Sequence, residues 1–113
     1  MTLSATAKNA LLDHLGTLIT HLGLANGATE LTGGSPAYAR QPCAWSAAAG
    51  GVMALAGPET FDVPAGSTVD RVLLRGHLSN PTPDYGYADV TAEVFGGQGT
   101  ATVTAGTITA SDP

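Results

Sequence analysis

The sequence predicts a mainly β protein, with a short N-terminal helix followed by a small antiparallel β-sandwich of jelly-roll or immunoglobulin-like type. Three observations carry this reading. Only the opening stretch repeats its apolar residues at helical spacing, everything after Thr17 falls into short runs separated by turn residues, and the last two runs alternate with a period of two.

The helix comes first. Ser4 is placed to cap it, Ala7, Ala10, Leu11, His14 and Leu15 recur three and four residues apart, and Gly16 stands where a left-handed residue would end it. The spacing predicts a helix over 5–15. A single domain of 113 residues then divides into a helical segment, 1–16, and a sandwich, 17–113.

Seven strands are expected: Thr17 to Leu24, Ala39 to Ser46, Val52 to Leu55, Thr60 to Val63, Val69 to Leu78, Tyr87 to Phe95 and Thr100 to Thr109. The breaks between them include Asn26-Gly27, Gly50-Gly51, Gly57-Pro58, Pro64-Ala65-Gly66, Asn80 to Pro83 and Gly96 to Gly99, all rich in turn-forming residues. In Tyr87 to Phe95 the polar and aromatic positions alternate with Ala88, Val90, Ala92 and Val94, which predicts one small apolar face. In the last run the phase slips at Gly106, a candidate β-bulge. With only 5% aromatic residues the core must be thin and aliphatic, so burial against neighbouring subunits is expected to complete it.

Composition argues against several partners. Only 12% of residues are charged, the net charge is -5, and no lysine follows Lys8, so neither nucleic acid nor an anionic membrane is an expected partner. No apolar run reaches the roughly 20 residues of a membrane span. The N-terminal apolar residues are interrupted by Lys8, Asn9, Asp13 and His14, unlike a signal peptide, and the chain reads as soluble and made in the cytosol. The single cysteine, Cys43, reads as a small buried hydrophobe.

The sequence offers little chemistry. His14, His21 and His77 with Cys43 lack the short repeated spacing of a zinc site, and there is no Gly-x-Ser-x-Gly, no P-loop and no dinucleotide fingerprint. Glu59 with Asp62, and Asp84 with Asp89, stand beside turn residues and read as solvated loop tips rather than calcium ligands or an acid/base pair. No catalytic residue, metal or cofactor is expected. The candidate contact residues are Leu11 and Leu15 on the helix, Arg71 and Arg75 on a strand, and Tyr85 and Tyr87 beside a proline turn, where tyrosine and arginine could anchor a protein interface or stack on a sugar.

The densest string is Leu31 to Trp45, LTGGSPAYARQPCAW. Gly33 and Gly34 permit backbone closed to other residues, Pro36 pushes Ser35 toward extended geometry, and Tyr38, Arg40 and Trp45 can lock an incoming loop, so the stretch reads as an architectural corner. It resembles a segment of a family of small virion proteins from tailed phages of actinobacteria, described as tail fibre or minor tail proteins. Further similarity lies in Asn9 to Asp13, in Phe61 to Val69 and in the Gly97-Gln98-Gly99-Thr100 turn. The chain departs from the family pattern before Glu30, where the loop is shorter, at Gln41-Pro42-Cys43 in place of a basic and β-branched stretch, and in a more polar Arg71 to Asn80.

The resemblance implies a non-enzymatic virion protein, assembled in the bacterial host cytoplasm as a homo-oligomer and contacting other tail proteins or the major capsid protein. A capsid decoration protein is the alternative, and a host-glycan-binding module the third.

Overall fold

The computed structural model describes residues 2–110, so the outermost ends of the 1–113 division lie outside the described residues. The protein is mainly β, with one N-terminal helix and antiparallel sheets, 48 × 23 × 23 Å in extent. Helix α1 spans Ala5–Leu18, and the strands are β1 (His21–Asn26), β2 (Thr29–Glu30), β3 (Gln41–Pro42), β4 (Val52–Ala54), β5 (Glu59–Val63), β6 (Ser67–Arg75), β7 (Asp84–Phe95), β8 (Gly99–Val103) and β9 (Thr107–Thr109).

Ser4 caps α1 as expected, its side chain accepting the Ala7 N–H at 3.2 Å. The helix does not stop at Gly16, however. Gly16 is where α1 crosses the sheet layer: a Cβ there would lie 2.9 Å from Met53 Sδ and 3.4 Å from Trp45 Cβ. The missing side chain permits close approach rather than a left-handed turn, and the helix continues to Leu18. Asn9 and Asp13 fasten its inner side by accepting the N–H groups of Gly51 and Ala48. Leu12, 3% exposed, is the helix residue buried in the protein, while Leu11 is 59% exposed.

The larger sheet runs β2-β1-β6-β7, with β3 pairing the other end of β1. Asn26 ends β1, and Gly27, at φ +59, makes the expected turn, its N–H donating to Asp70. The opposing layer is a long two-stranded ribbon in which β4 pairs β9 and β5 pairs β8. Leu55 N–H donates to the Gly106 carbonyl between the two ladders and joins them. The single strand expected over Thr100 to Thr109 is therefore two, and the break at 104–106 takes the place of a bulge. Phe61 and Val63 of the ribbon meet Leu22, Leu24, Val69 and Val72 of the larger sheet in an aliphatic core.

Two more expectations change. Of Ala39 to Ser46 only Gln41–Pro42 is a strand, because the following backbone and side chains turn to the helix exit: Cys43 N–H donates to the Thr20 carbonyl and Trp45 Nε1 to the Ile19 carbonyl. Strand β7 lacks the clean two-faced alternation. Its pairing with β6 shifts between Val69↔Glu93 and Arg71↔Asp89, so three β7 residues, Val90 to Ala92, stand against Asp70. Beyond this bulge the faces exchange. Glu93 lies opposite core Val69, and Val94, opposite Thr68, is 75% exposed.

Candidate functional site

Strand β1 binds β2 at Ala25 and Asn26 and β3 at His21 and Leu22, which leaves a gap in its outer ladder at Gly23 and Leu24. The corner stretch fills it. Leu24 N–H donates to the Tyr38 hydroxyl at 2.9 Å, and the Leu24 carbonyl accepts the Leu31 N–H. Tyr38 in turn donates to Glu30 Oε2 at 2.6 Å and stacks on Phe61, ring centroids 6.5 Å apart. Gly23 makes room for this, since a Cβ there would lie 2.8 Å from the Tyr38 hydroxyl and 2.9 Å from Glu30 Oε2.

Arg40, 5% exposed, is the centre of the network. Its Nε and one terminal nitrogen bind both Glu30 oxygens, at 2.8 and 2.7 Å, and its other terminal nitrogen donates to the carbonyls of His77 and Asn80. This forked geometry orders the loop after β6 and explains why that strand ends at Arg75 rather than at Leu78. Burial by itself raises the Glu30 carboxyl, but the hydrogen bonds from Arg40 and Tyr38 and the Arg40 charge outweigh it and hold the group below its ordinary value. Burial and the hydrogen bond to Glu30 push the Tyr38 phenol well above its usual range. Burial, followed by the charges of His77 and Arg40, lowers His21. The side-chain polar groups of Glu30, Tyr38 and Arg40 are each engaged by other protein groups, and a concavity of about 370 Å³ lies beside them, bordered by Thr32, Gly33 and Ser79.

The glycines of the stretch are used as expected. Gly33 and Gly34 have φ +81 and +97, and Tyr38 N–H donates to the Gly33 carbonyl at 2.8 Å. Sequence reasoning missed Gln98, whose side chain accepts the Ser35 N–H at 3.2 Å and donates to the Pro36 carbonyl at 3.0 Å. Pro64 joins them, its Cγ lying 3.1 Å from where a Gly34 Cβ would be. Trp45 belongs to a separate joint at the helix exit, where Cys43 Sγ also meets the Ile19 carbonyl.

The candidate contact residues do not form one surface. Leu11 is exposed on the helix, whereas Leu15 is half-buried. Arg71 lies over the Tyr87 ring at 3.9 Å and pairs with Asp89 at 3.3 Å, and Arg75 pairs with Asp84 at 2.6 Å. Tyr85 is half-buried, its ring against Gly76. The four carboxylates read as loop tips lie in strands instead: Glu59 and Asp62 in β5, Asp84 and Asp89 in β7. Among the described residues no three His, Cys, Asp or Glu side chains gather where a metal ion could sit, and no helix is long and apolar enough to cross a membrane.

Another concavity lies between β7 and the β8–β9 side of the ribbon. It is an apolar cleft of about 450 Å³ floored by Leu22, Leu24, Val72 and Leu74. No protein-family model matches the chain, and no curated protein and no solved structure matches it significantly.

Proposed function

We propose that the protein is a non-enzymatic structural component of a tailed bacteriophage virion, a tail fibre or minor tail protein present as a repeated oligomer. One observation supports this reading above others. Three of the segments that carry the resemblance, Thr32 to Arg40, Phe61 to Val69 and Gly97 to Thr100, meet at one corner through Gly34, Pro64 and Gln98. The fourth, Asn9 to Asp13, uses its two polar ends to fasten the helix. Residues that define such a family by building its joints, with no reactive constellation among them, suit a protein whose work is shape and contact.

A second reading, capsid decoration, is favoured by helix α1, which holds Leu11 exposed, as a docking segment would. Mass spectrometry of separated heads and tails discriminates. A few copies per particle, confined to tails, are expected. Hundreds of copies on heads would replace the tail assignment with decoration, and absence from both fractions would remove the virion reading.

A further inference from the structure

The two walls of the apolar cleft end in sheet edges of opposite character. Among the described residues strand β7 pairs only with β6, and its edge is blunted by the bulge at 90–92 and by the acidic Asp89 and Glu93. Among the described residues strand β8 pairs only with β5, in unbroken register from Gly99 to Val103, and it carries no charge, no proline and no bulge. Every residue from Ala101 to Ile108 borders the cleft. An edge left flat and uncharged beside an apolar trough is built to be covered.

Charge identifies the occupant. Glu93 is the only charged side chain bordering the cleft among the described residues. Among the described residues Arg40, Arg71 and Arg75 each already have an ion-pair partner, and Lys8, the one lysine, packs beside Gly51 on the helix side, so a different polypeptide is the simpler source of the counterpart. We propose that the cleft receives an extended segment of a different polypeptide, which adds as a strand to β8, fills the trough with alternate apolar side chains and places a lysine or arginine at Glu93. This inference goes beyond the virion reading and does not depend on it.

Trp45 borders the cleft and is the only tryptophan, so its emission reports occupancy. The probes are two octapeptides of alternating valine and threonine, one with a central lysine and one with glutamate at the same place, titrated into the full chain at low salt. The lysine peptide is expected to change Trp45 emission and to bind about fivefold tighter than the glutamate peptide, as for a partly exposed ion pair. Glu93→Lys, with circular dichroism unchanged, should reverse that order. No emission change with either peptide, equal affinities, or an order unaffected by E93K overturns the proposal. Sedimentation as a dimer that excludes both peptides overturns it in favour of a second copy.

Discussion

Gln98 holds Pro36 from 62 residues away: its amide donates to the Pro36 carbonyl while its oxygen accepts the N–H of Ser35. A turn between β7 and β8 thereby fixes the loop between β2 and β3, and the ends of both layers are tied together at this corner.

Gln98→Ala should lower stability by about 1 kcal/mol, because two hydrogen bonds are lost but the freed groups are solvent-accessible. A thermal melt should show a fall of roughly 4–6 °C. Gln98→Glu keeps the acceptor and loses the donor, so it should fall between the two.

Arg40→Met should cost about 2–4 kcal/mol by urea denaturation, since it strands the Glu30 carboxylate and two loop carbonyls. Arg40→Lys should not restore the loss, because an ammonium cannot reproduce the fork. Arg40→Met with Glu30→Met should cost less than Arg40→Met alone.

The same pair gives a pH signature. Folding holds the Glu30 carboxyl below its ordinary value of 4.5, so its stabilisation is fully present above that value and is lost as pH falls through the lower folded value. Melting temperature measured from pH 6 to pH 3 should fall more steeply in the parent protein than in Arg40→Met.

Gly34→Ala combines a positive φ with a clash against the Pro36 carbonyl, 3.1 Å from the new Cβ. The backbone cost alone is about 1–2 kcal/mol. Gly57→Ala meets nothing within 4 Å and is expected to be neutral or stabilising by up to about 1 kcal/mol. Equal effects in denaturation experiments would contradict the corner geometry.

Leu11→Asp should leave the melting temperature nearly unchanged, since its side chain is 59% exposed, but reduce incorporation into particles. Leu15 is unsuitable for this test because it is half-buried. Incorporation at normal occupancy would show that the helix is not the anchor.

Cys43 should stay unmodified by a thiol reagent in the folded protein at neutral pH and react on unfolding. Burial, with the Glu59 charge adding to it, pushes its thiol up to about 11.

How much of this was legible in the sequence depended on whether the signal was local. The cap at Ser4, the Asn26-Gly27 turn and the paired glycines at 33 and 34 are set by backbone chemistry within a few residues, and each was readable. The role of Gly16 was not, because a helix-ending glycine and one that permits close approach look alike until Met53 and Trp45 are placed against it. The β7 bulge was hidden for a similar reason. Alternation from Tyr87 to Phe95 continues in sequence, and only pairing to Asp70 reveals the change of face. At the corner, Tyr38 and Arg40 stood out by residue type, but their partner Glu30 and the distant Gln98 are ordinary polar residues whose importance comes from position alone.

The joint at Ile19 bears on the order of events during folding. Its carbonyl is met by side chains 24 and 26 residues later in the chain, and a helix of 14 residues is marginal by itself. The helix therefore waits for Trp45 before its end is secured. In refolding from denaturant, far-ultraviolet ellipticity and Trp45 emission should recover together, in one phase set by long-range closure rather than by rapid local coiling.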